Sequence, residues 1–281
     1  MDFKKDDYHS IMRLYSKQNW LLKKEKALKE LVLFCERKDS KNLVFSLLER
    51  FHYLQEDYLR YLLNELSHYI IYESGFKPET IQILSFTCDE TADSSQKLLD
   101  MIKVPLFQGG WRNPSIVNNF NLCETHFKKG KTQVLMMDEF IGSGKTLHNR
   151  FRQLKDILKG DFEIKFCFIA GIRKTIESIQ AEGIYVFCPL QLDKGISDFY
   201  KDDTLSKMIA EMVYLESKLS PKINTKDLST YSFGYGNAEA LYSLEGCNGN
   251  TPNSTFPLFW WLKDKQENDR ITILTRVEEG F

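Results

Sequence analysis

The hydrophobic pattern divides the chain into a helical N-terminal part and a mixed part that begins near Pro78. Residues 11–73 contain neither proline nor glycine, and their apolar positions recur at intervals of three and four residues. This spacing is typical of helices with one buried face. Gly75 and Pro78 end the pattern. The N-terminal part is therefore predicted to form three helices, over 10–37, 40–53 and 55–73.

From residue 80 onward, short apolar runs alternate with helical stretches. The runs predict strands over 80–87, 133–137, 163–170 and 185–188. The intervening segments predict helices over 96–103, 147–160 and 176–181, and a further helix is predicted over 203–219. Strands that are apolar throughout are typical of a parallel sheet covered by helices on both faces. The predicted fold class is therefore α/β, with a three-layer parallel sheet.

The C-terminal part is rich in aromatic and turn residues. A strand is predicted over 240–245, CNGNTPNST is a run of turn residues, and FPLFWW follows it. We expect these aromatic side chains to close the hydrophobic core over the sheet edge, with stacking on a nucleobase as the less favoured alternative. The chain is thus divided into an N-terminal helical segment (1–75), an α/β domain (76–203) and a C-terminal helix with an aromatic-rich closure (204–281).

Composition and charge exclude several classes of function. The 38 basic and 39 acidic residues give a net charge of −1, so direct nucleic-acid binding is not indicated. The sequence shows neither a leader peptide nor an apolar stretch of membrane-spanning length, which predicts a cytoplasmic protein without membrane contact. The six cysteines form no CxxC pair, and three of them, Cys35, Cys167 and Cys188, lie inside apolar runs. They are interpreted as reduced thiols of the core, not as zinc ligands.

The segment with the clearest chemical signal is VLMMDEFIGSGKT, residues 134–146. It is predicted to place Asp138 and Glu139 at the carboxyl end of a buried strand, where ligands of open parallel sheets bind. The loop that follows combines closely spaced backbone N–H groups with two hydroxyls and a cation, and such a loop favours a phosphate. Its residues are Gly142, Ser143, Gly144, Lys145 and Thr146. The two carboxylates would repel a phosphate and need Mg²⁺ or ribose hydroxyls as partners.

Two ligands fit a phosphate loop of this kind. A Walker A loop would need glycine five positions before Gly144, where this chain has Glu139. A carboxylate at that position would face the β-phosphate, so a P-loop NTPase is the less favoured interpretation. A sugar 5-phosphate with its hydroxyls on the acids and its phosphate in the loop gives every polar group a partner.

The order of strand, paired acids and glycine-rich loop resembles the phosphoribosyl-pyrophosphate (PRPP) motif of type I phosphoribosyltransferases. The ending Ser143-Gly144-Lys145-Thr146 is similar to the form found in 6-oxopurine phosphoribosyltransferases. The resemblance implies that Asp138 and Glu139 are the catalytic residues, hold the ribose hydroxyls and bind Mg²⁺, while the loop wraps the 5-phosphate of PRPP. By position, the segment 88–95 corresponds to the pyrophosphate loop, which adds Asp89, Ser94 and Ser95 to the candidate ligand-binding residues.

Two departures from that family favour binding over turnover. Gly142 stands where the 6-oxopurine enzymes have an aspartate that acts on the base, and the segment 88–95 is acidic. The whole arrangement resembles stand-alone phosphoribosyltransferase-like proteins of bacterial conflict and phage-defence loci. This resemblance implies a protein that acts beside other proteins of a defence cassette on a phosphorylated ribose or nucleotide. Phosphoribosyl transfer and a non-catalytic role as a sensor or partner-binding subunit both remain open.

Overall fold

The computed structural model describes residues 5–86, 94–245 and 250–277. Contacts divide the chain into two compact units. We call Gln55–Leu192 the sheet unit, and we call Met1–Leu54 together with Asp193–Phe281 the terminal unit. These boundaries differ from the three segments expected from the sequence, and those segments stay a prediction.

The secondary structure alternates as the hydrophobic pattern indicates. The helices of the described residues are α1 (Lys5–Lys17), α2 (Glu25–Phe34), α3 (Lys38–Glu49), α4 (Glu56–His68), α5 (Ser94–Gln108), α6 (Phe120–Phe127), α7 (Lys145–Ile157), α8 (Arg173–Ala181), α9 (Asp202–Glu216) and α10 (Leu228–Tyr231). The strands are β1 (His52–Leu54), β2 (Ile81–Ser85), β3 (Ser115–Val117), β4 (Gln133–Ile141), β5 (Glu163–Ile172), β6 (Tyr185–Phe187), β7 (Leu190–Leu192), β8 (Lys222–Ile223), β9 (Lys226–Asp227) and β10 (Tyr242–Leu244). Short 3₁₀ helices occur at Asn19–Lys24 and Pro257–Phe259, and a π-helical turn at Tyr69–Glu73 continues α4.

The sheet unit is built on a parallel sheet of six strands in the described chain. Its order is β3-β2-β4-β5-β6, and β7 pairs with the end of β5 beyond β6. Apolar side chains of β2, β4 and β5 pack with α6, α7 and α8 in one hydrophobic cluster, while α4 and α5 contact β2, β4 and β5. The prediction of an α/β fold with a central parallel sheet flanked by helices is confirmed.

The predicted strands and helices of the sheet unit are found, with shifted ends. The helix predicted over 96–103 continues to Gln108, and the strand predicted over 133–137 continues to Ile141. The sequence prediction omitted β3, α6 and β7. β3 and β7 have only three residues each, too few for a periodic pattern.

The predicted helix over 10–37 is wrong, because the chain leaves helical geometry at Gln18. The side-chain amide of Gln18 donates to the carbonyls of Glu49 and Phe51 at 3.0 Å and accepts from the Trp20 indole at 2.8 Å. Trp20 then stacks on Tyr53 with ring centroids 4.3 Å apart. These tertiary contacts outweigh the helical preference of the local sequence.

The terminal unit has a core built from both ends of the chain. Apolar residues of α1, α2, α3 and α9 pack in one cluster with the C-terminal aromatic residues. β1 pairs in parallel with β10, with His52 opposite Tyr242 and Leu54 opposite Leu244. The helix predicted over 40–53 therefore ends early, because residues 52–54 form a strand. The strand predicted over 240–245 is confirmed by β10.

The C-terminal aromatic residues are core residues. Phe256, Phe259, Trp260 and Trp261 are at most 2% exposed. The indole N–H of Trp260 donates to the Thr255 carbonyl and that of Trp261 to the Ser220 carbonyl, each at 2.9 Å. Their predicted burial is confirmed, but the cluster that holds them belongs to the terminal unit and not to the edge of the sheet.

The described cysteines are buried and free, as predicted from their apolar surroundings. Burial raises the pKa of the Cys35 and Cys188 thiols to about 12 and raises the pKa of Cys167 as well. Such thiols are poor nucleophiles because little thiolate forms near neutral pH. Across the described ranges, no helix combines the length and apolar character needed to cross a membrane.

Candidate functional site

The paired acids lie inside β4, near its carboxyl end. The sequence placed them just after the strand, but β4 runs on through Phe140 and Ile141. The Glu139 residue is only 5% exposed, whereas Asp138 is partly exposed. The two carboxylates are therefore not equivalent: Asp138 has the more accessible side chain.

The ladder between β4 and β5 is interrupted at Glu139. Residue pairs run without a break to Asp138 opposite Phe168 and resume with Phe140 opposite Ala170. At the interruption the backbone N–H of Glu139 donates to Oδ1 of Asp138 at 2.7 Å. Aspartate side chains commonly compete in this way for nearby backbone groups. One carboxylate oxygen of Asp138 is thus oriented by the adjacent backbone.

Asp138 and Glu139 lie beyond the last residue pair that joins β4 to β2. The last residue pair between β2 and β4 joins Ser85 to Met137, and the N–H of Phe86 donates to the Met137 carbonyl at 3.2 Å. Phe86, which follows β2, therefore lies beside Met137, the residue before the two acids. The predicted ligand residue Asp89 lies outside the described residues.

The two serines predicted to act with Asp89 lie at the other end of that segment. Ser94 is the first residue of α5 and Ser95 is the second. Helix starts commonly carry serine, so a local role in starting α5 competes with ligand binding. Their assignment to a ligand site stays a prediction.

The Gly142–Thr146 loop joins β4 to α7 through a left-handed residue. Gly144 has φ +76° and ψ −8° and is the N-cap of α7, which begins at Lys145. The N–H of His148 donates to the Gly144 carbonyl at 3.1 Å as the first helical hydrogen bond. The N–H groups before it have no partner within the helix, and glycine offers no side-chain oxygen to cap them. Lys145 and Thr146 are exposed beside these amides.

Helix α8 packs against the Gly142–Thr146 loop. The hydroxyl of Thr175 donates to the Gly142 carbonyl at 2.7 Å. A Cβ atom at Gly144 would come within 2.9 Å of Ile179 Cδ1 and 3.3 Å of Thr175 Cγ2. The loop is therefore held to α8 by one hydrogen bond, and Ile179 and Thr175 occupy the space that a side chain at Gly144 would need, so only glycine fits this position without strain.

A second glycine brings β5 close to the start of the loop. A Cβ at Gly171 would stand 2.2 Å from Ile141 Cγ2 and 3.0 Å from the Ile141 carbonyl. Gly171 also pairs with Ile141 in the sheet register. Sequence reasoning missed Gly171 and Thr175, because a glycine in an apolar run and a threonine in a short helix give no signal of their own.

The charges near the loop have both signs. Lys145 is the cation of the loop, and Asp138 and Glu139 precede it by seven and six positions on the same strand-to-helix segment. Arg173 begins α8 and donates to the carbonyl of Gln191 at 3.3 Å. Cation and acids are therefore segregated along the segment, with the acids at the strand end and the cation at the helix start. Among the described residues, no group of three or more His, Cys, Asp and Glu side chains is arranged to hold a metal ion.

A parallel sheet with paired acids and a glycine loop at its carboxyl edge is the arrangement expected of a phosphoribosyltransferase-like α/β protein. The family model PRTase-CE, which is phosphoribosyltransferase-like, matches residues 28–276. The chain belongs to the PRTase-CE family.

Comparison with individual proteins adds little to the family assignment. No match to the chain was found among curated proteins. One similar solved structure is a hypothetical protein from Neisseria gonorrhoeae with bound ppGpp, at 15% sequence identity and a TM-score of 0.37. That alignment covers 50% of this chain and 83% of the other. A likeness this loose carries no inference about a ligand.

Proposed function

We propose that the protein binds PRPP or a related ribose 5-phosphate ligand together with Mg²⁺. The observation that carries the proposal is the continuous segment from β4 to α7, which presents two carboxylates and a glycine loop in a chain of the PRTase-CE family. The acids suit hydroxyl or metal partners, and the loop suits an anion. A phosphorylated ribose has both kinds of group in one small molecule.

The roles of the residues follow from their accessibility. Asp138 would accept hydrogen bonds from the ribose hydroxyls through its partly exposed carboxylate. Glu139 is buried and would contribute negative potential at the same strand end. The N–H groups of the Gly142–Thr146 loop and the first turn of α7 would surround the 5-phosphate, and the helix dipole favours an anion there.

A magnesium ion fits the donor set. Mg²⁺ is usually held by one or two carboxylates together with water and substrate phosphates. Asp138 supplies an accessible carboxylate, with Glu139 next to it in β4. When bound, the ion would neutralise charge on the pyrophosphate group of PRPP, which the acidic segment after β2 would otherwise repel.

Turnover is a separate question from binding. Gly142 offers no side chain to act on a base, which favours a sensor or partner-binding subunit that has kept the pocket. If the protein is a phosphoribosyltransferase, Asp138 and Glu139 would stabilise positive charge that develops on the ribose ring. A role beside other proteins of a bacterial antiviral defence cassette, in the cytoplasm, completes the proposal.

The test measures ligand-induced thermal stabilisation of the full chain. At a ligand concentration about 100 times Kd, binding adds about 2.7 kcal/mol, which raises Tm by roughly 5 to 10 °C. We expect this shift with PRPP and Mg²⁺ for the wild-type chain and for Asp156→Asn, which removes an exposed acid of α7. Asp138→Asn should abolish it.

The outcomes separate the alternatives. A wild-type chain that responds to neither PRPP nor ribose 5-phosphate would refute the proposal. A shift with ATP and Mg²⁺ that is lost in Lys145→Ala but kept in Asp138→Asn would identify a P-loop NTPase instead. Release of pyrophosphate from PRPP in the presence of nucleobases would mark an enzyme, and stabilisation without release would mark a sensor.

A further inference from the structure

We propose that Thr175 is a positioning residue that sets the direction of the Ser143 backbone amide, and so strengthens the binding of phosphate by the Gly142–Thr146 loop. This inference rests on the proposed function and adds a residue to that site. Thr175 lies on α8, outside the motif that the sequence singles out. Its hydroxyl makes a hydrogen bond of 2.7 Å to the Gly142 carbonyl.

The planarity of the peptide bond links the Gly142 carbonyl to the next amide. The Gly142 carbonyl and the Ser143 N–H belong to the same peptide unit, and in a trans peptide they point in opposite directions. The structure has no cis peptide bond among the residues that it describes. Because Thr175 fixes the carbonyl toward α8, the Ser143 N–H must point away from α8.

The same bond removes an unfavourable group from the anion site. A carbonyl oxygen that turned outward would present negative partial charge to a phosphate, whereas an outward N–H presents positive partial charge. Gly142 has no side chain, so the rotation of this peptide is poorly restrained by its own residue. A hydroxyl from a neighbouring helix supplies the missing restraint.

Thr175 contacts the loop with two different atoms, and substitutions can separate them. Its hydroxyl holds the Gly142 carbonyl, while its Cγ2 methyl lies under Gly144, 3.3 Å from an ideal Cβ position there. Thr175→Val keeps a methyl at that place and removes the hydroxyl. Thr175→Ser keeps the hydroxyl and removes the methyl.

The experiment measures the affinity of the full-length wild type, Thr175→Val, Thr175→Ser and Asp138→Asn for ribose 5-phosphate and for PRPP with Mg²⁺, by calorimetry. Because Thr175→Val loses one hydrogen bond, its affinity for both ligands should be about two- to tenfold weaker than that of the wild type. Thr175→Ser should bind as the wild type does. Melting temperatures without ligand are recorded for the same proteins. If Thr175 had a purely structural role, each Thr175 variant would lose affinity in proportion to its loss of Tm.

A second readout observes the amide directly. In ¹⁵N-labelled wild-type protein, ribose 5-phosphate should shift the Ser143 amide resonance, and the shift should be smaller in Thr175→Val. Affinity in Thr175→Val equal to wild type, with Asp138→Asn still defective, would overturn the role of Thr175 and leave the proposed function intact. A wild-type chain that binds neither ligand would overturn both.

Discussion

Gly144→Ala tests whether α8 closes the space beneath the Gly142–Thr146 loop. The residue has φ +76°, so alanine there would adopt the left-handed region, which costs roughly 1–2 kcal/mol. The new Cβ would also stand 2.9 Å from Ile179 Cδ1 and 3.3 Å from Thr175 Cγ2. Ile179 can yield because the contacting atom ends a flexible side chain, so overpacking adds about 1 kcal/mol.

Gly183→Ala is the matched control within the same unit. Gly183 has φ +81°, but nothing lies within 4 Å of its ideal Cβ position. Both substitutions reduce the entropy of the unfolded chain by the same amount, which offsets about 0.4–1 kcal/mol of the strain. We therefore expect a loss of about 0.5–1 kcal/mol in Gly183→Ala and about 1.5–2 kcal/mol in Gly144→Ala.

The assay is thermal unfolding of the full chain, followed by binding of ribose 5-phosphate. The lower stability of Gly144→Ala should appear as a Tm several degrees below that of Gly183→Ala. Its affinity for ribose 5-phosphate should fall as well, since the loop must shift, whereas the control should bind normally. Equal Tm values for the two variants would show that Ile179 and Thr175 do not pack against the loop as described.

Two further predictions concern the terminal unit. In Gly234→Ala the new Cβ would collide with the backbone of Ser254, at 1.9 Å from the carbonyl oxygen, and the residue has φ +77°. We therefore expect the free energy of unfolding, measured by chemical denaturation, to fall by about 3 kcal/mol or more. Near-wild-type stability would mean that this turn is not packed as described. Burial raises the pKa of the Glu216 carboxyl above its usual 4.5. The folded state therefore binds the carboxyl proton more tightly than the unfolded state does. Because of this difference, the stability of the protein falls as the pH rises from about 4.5 through the raised pKa. Glu216→Gln still has hydrogen-bond partners in Ser232 and the Phe233 N–H, and should melt higher than wild type at pH 8 and about equally at pH 4; Tm curves that stay parallel across this range would contradict the assignment.

Local patterns were enough to predict four of the six strands of the described sheet. The apolar runs of β2, β4, β5 and β6 are each flanked by helical or turn segments, and short-range periodicity identifies them. The β4 strand is longer than expected because it still pairs with β5 on both sides of Glu139, at Asp138 and at Phe140. In the sequence, two carboxylates after an apolar run indicate the end of a buried strand. In the structure, the strand continues past them because its ladder with β5 is interrupted only at Glu139.

Contacts between distant segments could not be predicted. The break at Gln18 depends on the carbonyls of Glu49 and Phe51, at the end of α3 and just beyond it, and the strand character of residues 52–54 depends on β10. The same holds at the candidate site. The GSGK sequence predicts a phosphate-binding loop, but its support by Thr175 depends on how α8 packs.

The parallel pairing of β1 with β10 has a consequence for how the chain is made. Lys23 and Glu245, 222 positions apart, form an ion pair in the same unit. On the ribosome, β1 emerges well before β10, its strand partner, and the apolar residues of α1 to α3 emerge before α9 and the C-terminal aromatic residues that share their core. A chain that ended just after residue 192 would therefore lack these partners while keeping the contiguous residues 55–192.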